Sequence, residues 1–361
     1  MLLCIRNGNI IDGKGGVFLE RDILIENKRI VEIGTNLADK AHRIIDASNL
    51  WVVPGLIDAH CHLREPGFEY KEDIVSGTRS AAAGGFTSIA CMPNTLPPID
   101  NAAMAQYIKL KAASDGAVRV YPIAAITQGR EGKSITEMGE MKRAGVVALS
   151  DDGDPVADAN TMRLALEYAK QFALLVISHC EDKSLVAEGV MNEGYMSTIL
   201  GLKGITRAAE DVMVARDVIL SEITRTPIHI AHVSTEGSVD LIRQGKLRGI
   251  PVTCETAPHY FSATDQWVEG YDTNTKVNPP LRTQRDVDAV KEGLKDGTID
   301  IIATDHAPHH RDEKEVEYNM AASGISGLET AFSLSYTHLV ETGVLSLEEL
   351  VAKLSSVPAK I

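Results

Sequence analysis

Asp58-Ala59-His60-Cys61-His62 follows an apolar, β-prone run that starts at Val53. In an extended strand side chains alternate, so His60 and His62 point the same way. Their Cα atoms lie about 6 to 7 Å apart, and both rings can converge on one cation while Cys61 faces away. His179, His232 and Asp305 each end a later apolar run, and Asp151-Asp152 follows the run Val146–Ser150. One of these two acids is expected to be a ligand between two ions and the other a loop cap. Imidazole and carboxylate donors together suit zinc, at about 2.0 to 2.2 Å, and not calcium, which takes oxygen alone. Two ions roughly 3.5 to 4 Å apart can share a water, lower its pKa and aim it at a carbonyl, so the chemistry expected is hydrolysis. Asp305, touching both metal and water, would carry the released proton to a leaving nitrogen. His229, three residues before His232, is expected on the opposite side of its strand in a packing or hydrogen-bonding role.

These residues need a frame that brings distant strand ends together. The first fifty residues read as short strands punctuated by Asn7-Gly8 and Asp12-Gly13, which predicts a small β-sandwich-like domain over 1–50. From Trp51 apolar strand runs alternate with helical periods: 53–58, 87–91, 119–125, 146–150, 174–178, 228–232, 252–255 and 299–304. Glycines at 84, 85, 116, 145, 249 and 297 read as helix stops, and Ser134 with Glu137 as a capping box. Eight such units without a G-x-G-x-x-G predict the α/β class, a (β/α)8 TIM-type barrel over 51–361 that serves as a metal-dependent hydrolase. The longest polar segments follow strands, so the site belongs at the barrel's C-terminal face.

A chain of 361 residues with 44% hydrophobic content can bury a large core, which excludes a disordered or minimal module. A formal charge of −14 repels polyanions, so nucleic acid is excluded as a partner. No run of about eighteen apolar residues occurs and Met1–Asn7 lacks the order of a secretory signal, so the expectation is a cytoplasmic protein with no membrane partner. Five scattered cysteines without a C-x-x-C pair read as reduced thiols in packed strands.

Four stretches are specific in combination: Pro54-Gly55-Leu56-Ile57-Asp58-Ala59-His60-Cys61-His62-Leu63-Arg64-Glu65-Pro66-Gly67, Met92-Pro93-Asn94-Thr95, Lys276-Val277-Asn278-Pro279-Pro280-Leu281-Arg282 and Ala303-Thr304-Asp305-His306-Ala307-Pro308-His309. With them the chain, from about Leu2 to its last residue, resembles the amidohydrolase superfamily and within it the dihydroorotases of the longer bacterial type. The resemblance implies reversible, zinc-dependent hydrolysis of the cyclic amide of dihydroorotate to N-carbamoyl-L-aspartate in pyrimidine biosynthesis. It implies one or two Zn2+ per chain, with His60, His62 and Asp305 on one, His179 and His232 on the other, and Asp152 as the bridge where many relatives use a carboxylated lysine. It sets Arg64, Asn94 and His309 around the substrate carboxylate and Asn278 near the ring, chemically apt because a guanidinium fork matches a carboxylate. It leaves room for a homodimer and for association with aspartate carbamoyltransferase, and it implies further β-strands beyond Ile361 completing the small domain. Competing roles are an ion pair of Arg64 with Glu65 or Glu69, turn formation for Asn94 and Asn278 beside their prolines, and His310 in place of His309. The alternative functions are another cyclic amidohydrolase of the allantoinase or hydantoinase kind, or a catalytically silent subunit partnering the transcarbamoylase.

Overall fold

The computed structural model describes all 361 residues. Eight parallel strands carry the apolar runs: Leu56–Cys61, Phe86–Cys91, Arg119–Ala124, Ala148–Leu149, Leu175–Ser178, Ile228–Ile230, Val252–Thr256 and Ile301–Ile302, paired in chain order. A parallel bridge between Cys61 and His306, with the His62 amide donating to the His306 carbonyl at 2.8 Å, brings the sheet's two edges together. The helices between strands pack outside, as βα units demand.

Most of the strands bury both faces, which is why these segments read as apolar runs and not as alternating ones, although Thr87, Arg119 and Tyr121 stay exposed at the starts of the second and third strands. Val176, Leu149 and Ile230 join the large core, while their neighbours Ile177, Ala148 and Ala231 pack with Met92 and Ile123 in a separate cluster. Small and medium residues in that second cluster leave room for polar side chains: Asp58, His229 and Glu255 are all at most 1% exposed.

Two local expectations are corrected. The first barrel strand runs Leu56–Cys61, so His60 lies inside it. Ser134 and Glu137 form no capping box: Ile135 pairs with Thr127, the Thr136 amide donates to the Ile126 carbonyl, and the helix starts only at Met138. Of the glycine stops, Gly145 and Gly297 take the left-handed conformation (φ 93° and 83°), whereas Gly116 is extended.

Ahead of the barrel, Leu2–Ile11, Val17–Glu26, Arg29–Gly34, Arg43–Asp46 and Trp51–Val52 form one five-stranded sheet with Leu2–Ile11 at its centre. Cys4, Leu24 and Leu37 make a small core of their own. Val17, Phe18, Ile30, Val31, Ile44 and Trp51 stay exposed. No helix is long and apolar enough to cross a membrane.

Candidate metal centre

The C-terminal ends of the strands bring the predicted ligands together. His60 comes from the first strand, and His62 follows it directly. Asp152 follows the short fourth strand, His179 the fifth, His232 the sixth and Asp305 the eighth. His232 and Asp305 hold left-handed backbone (φ 33° and 46°), a strained geometry for residues other than glycine that clusters at functional sites. His60, His62 and Asp152 form one group, and Asp152, His179 and His232 a second; within each, the ligand atoms lie within 4.8 Å of one another.

Asp152 is shared. Its Oδ1 lies 3.4 Å from His60 Nε2, 3.6 Å from His232 Nε2 and 3.7 Å from His179 Nδ1, and its Oδ2 lies 3.5 Å from His62 Nε2. Asp305 Oδ1 stands 3.2 Å from His62 Nε2 and 3.5 Å from His60 Nε2. Asp151 turns away: its carboxylate accepts from the Ile126 and Thr127 amides at 2.8 and 3.1 Å and from the Thr127 hydroxyl. Of the two acids that the sequence leaves open, Asp152 therefore faces the histidines and Asp151 anchors the loop after the third strand.

The donors fit a cation. His60 Nε2 and Asp152 Oδ1, which face each other at 3.4 Å, are buried with no hydrogen-bond partner, a costly arrangement unless something binds there. Burial would pull the His60 imidazole down, yet Asp152, Glu255 and Asp305 outweigh it and hold its pKa well above the ordinary value. Burial likewise opposes ionisation of Asp152, and the surrounding histidines overcome it and hold its carboxyl well below the usual range. Such a cluster favours added positive charge, as metal sites built from carboxylate and imidazole do.

Beside the cluster, Arg64 is 9% exposed and pairs with neither Glu65 nor Glu69. Its Nε donates to the Pro308 carbonyl at 3.1 Å and its Nη2 lies 3.3 Å from His309 Nε2. Glu65 instead accepts from the Tyr107 hydroxyl at 2.6 Å and the Ile74 amide at 3.0 Å, and Glu69 from the Gly67 amide at 2.9 Å. Burial, then the Arg64 charge, push His309 down to about 4, so its ring is neutral at pH 7. His310 is exposed and caps the short helix Arg311–Lys314. Asn94 turns its Oδ1 to His62 Nδ1 at 2.8 Å, orienting a metal-cluster histidine, and Asn278 donates to Glu181 at 2.9 Å.

Several site residues escape a reading by motif. Glu255 meets His60 Nδ1 at 2.6 Å and His229 Nε2 at 3.2 Å. His229 thus reaches the cluster's underside, and the expected strand alternation with His232 does not hold because the strand ends at Ile230. Glu181 lies 3.6 Å from His179. Asp58 accepts from the Thr304 amide and hydroxyl at 2.8 and 2.7 Å, which sets the backbone just before Asp305. The one available signal was a charge inside an otherwise buried strand: Glu255 in Val-Thr-Cys-Glu-Thr and Asp58 in Leu-Ile-Asp-Ala.

An eight-stranded parallel barrel with a shared-carboxylate His/Asp cluster on its C-terminal rim defines a metal-dependent hydrolase of the amidohydrolase type. The comparisons with known proteins narrow this. A family model described as dihydro-orotase-like matches residues 50–238. The dihydroorotase of Ruminiclostridium cellulolyticum is 59% identical over 361 residues, all of this chain and 84% of the relative; that of Geobacter metallireducens is 61% identical over 362, all of this chain and 85% of the relative. Among solved structures, L-hydantoinase (dihydropyrimidinase) from Arthrobacter aurescens superposes with a TM-score of 0.88 at 25% identity, over 99% of this chain and 81% of that one. Dihydropyrimidinase from Brevibacillus agri shares the fold, with a TM-score of 0.85 at 24% identity, over 100% of this chain and 81% of that one. The chain belongs to the dihydroorotase family.

Proposed function

We propose that this chain interconverts dihydroorotate and N-carbamoyl-L-aspartate, using one or two zinc ions. The observation that carries the reading is a buried arginine without a carboxylate partner next to a His/Asp cluster that wants a cation. His60, His62 and Asp305 would hold one ion and His179 and His232 the other, with Asp152 between them. Bound metal would polarise the amide carbonyl and make water a nucleophile at neutral pH. Arg64 takes the substrate carboxylate with the edge of its guanidinium not committed to Pro308, and the neutral His309 ring and the Asn94 amide add contacts. Asn278, steadied by Glu181, lies against the ring. The Asp305 carboxylate, whose Oδ1 lies within 3.5 Å of both His60 and His62, accepts a proton at its other oxygen and delivers it to the ring nitrogen.

The division into a small β domain over 1–50 and a barrel over 51–361 belongs to the same proposal, supported by the separate core of Cys4, Leu24 and Leu37; the small unit is one sheet and not a sandwich, and Trp51–Val52 pair with it, which moves its edge a few residues past 50. Five buried, unpaired cysteines support a cytoplasmic location. A homodimer and a complex with aspartate carbamoyltransferase are its assembly expectations, checked by sizing chromatography with and without the transcarbamoylase. The deciding experiment assays purified, zinc-loaded protein on dihydroorotate, N-carbamoyl-aspartate, allantoin and hydantoin. Turnover of the first two supports the proposal; preferential turnover of an uncharged ring, or none at all, overturns it.

A further inference from the structure

His60 is completely buried, and the chain continues behind it as a line of hydrogen bonds that the reaction itself does not use. His60 Nδ1 lies 2.6 Å from Glu255 Oε1, Glu255 Oε2 lies 3.2 Å from His229 Nε2, and His229 Nδ1 lies 2.8 Å from Thr253 Oγ1. The four residues come from the first, seventh and sixth barrel strands, and Glu255 is 1% exposed. No lysine or arginine pairs with Glu255; its ion-pair contacts are the two imidazoles.

The donor and acceptor roles along this line are mutually consistent in one direction. The Thr253 hydroxyl donates to His229 Nδ1, His229 Nε2–H donates to Glu255, and His60 Nδ1–H donates to the other Glu255 oxygen. His60 Nε2 is then the nitrogen that faces Asp152 and Asp305 and is available to a cation, and it is one of the buried atoms without a partner. The other clustered histidines lack a carboxylate this close outside the ligand set, and His179 Nδ1 meets His232 Nε2 at 2.7 Å. His62 leans on the neutral amide of Asn94 at 2.8 Å, and the carboxylate nearest His179 outside the ligand set, Glu181, is 3.6 Å away. A carboxylate behind a ligating imidazole fixes its tautomer and raises its basicity, and loss of such a partner costs roughly 10- to 100-fold in metal affinity.

We propose that Glu255, braced by His229 and Thr253, is a positioning residue that orients His60 as an Nε2 ligand and sets the affinity of the His60–His62 metal position. The inference rests on the metal reading above. It is tested by titrating metal-free protein with zinc against a chromophoric chelator, with stoichiometry from elemental analysis, in wild type, Glu255→Gln, His229→Gln and Thr253→Val. The expected result is about 10- to 100-fold weaker binding of one ion in E255Q. Smaller losses in H229Q and then T253V should follow, and E255Q activity should recover as zinc is raised to saturation. Should E255Q not fold, H229Q and T253V carry the same readout. Wild-type zinc affinity in all the variants that fold, or an activity deficit that saturating zinc does not relieve, overturns this inference alone. A wild type that binds no zinc overturns the metal reading together with it.

Discussion

Replacing Arg64 with glutamine removes the guanidinium while keeping a polar side chain that can reach the Pro308 carbonyl. The wild-type residue is 9% exposed, so a carboxylate bound there is poorly screened by water. Hydrogen bonds to charged groups contribute about 1.5–3 kcal/mol each, and a carboxylate on the free edge of Arg64 would use two. Allowing for the weaker contacts a glutamine retains, the net loss is about 3–4 kcal/mol, or on the order of 100- to 1000-fold in kcat/KM. Because the carboxylate is present in the ground state and the transition state alike, the loss should fall on KM with kcat changing little. The assay compares dihydroorotate with dihydrouracil, the same ring without the carboxylate. R64Q should raise KM for the first and leave turnover of the second, however slow, within about threefold of wild type. An unchanged KM for dihydroorotate, or an equal loss on both rings, would refute the assignment.

Dialysis against a strong chelator should abolish activity and lower Tm, and added zinc should restore both; metal at about 1,000 times its Kd stabilises by about 4 kcal/mol, so an unchanged Tm would count against a metal centre. Burial pushes the buried His259 down to about 4, partly opposed by Asp305. The unfolded imidazole takes a proton near its ordinary value while the folded one does not, so stability should fall as pH drops from about 6.5 to 4, by up to about 1.4 kcal/mol per pH unit. His259→Gln should flatten that slope in urea titrations; an identical slope would show that the ring is not desolvated as described. Gly67 has φ 97°, and a Cβ there would lie 2.2 Å from the Leu96 carbonyl oxygen, so Gly67→Ala should cost at least about 2 kcal/mol in chemical denaturation and, by shifting the loop that carries Arg64, raise KM. Burial pushes the thiols of Cys91 and Cys254 up to about 12, so neither should react with a thiol reagent at pH 8 until the protein is denatured, when all five cysteines should titrate.

The eight strands were legible because a parallel barrel buries both faces of most of them, and an apolar run ended by a glycine-stopped helix marks that burial locally. His60, His62, His179, His232 and Asp305 were legible because strand ends converge on one rim whatever the details of packing. Glu255 was not, since its meaning lies in a contact with a residue 195 positions away. The false capping box at Ser134 failed for a related reason: the loop paired with Thr127 and Ile126 before a helix could start there. A motif of four residues carries no information about that competing strand-like contact.

The order of units, the residue types able to hold a cation and the end of the barrel where they gather were determined by the sequence itself, because burial pattern and donor chemistry are properties of short segments. Only the tertiary structure decided that Asp152 and not Asp151 turns inward, that Arg64 ignores its neighbouring glutamates, and which nitrogen of His60 is free. Each of those depends on the direction of one side chain, and direction is set by partners that the chain brings close only when the barrel closes.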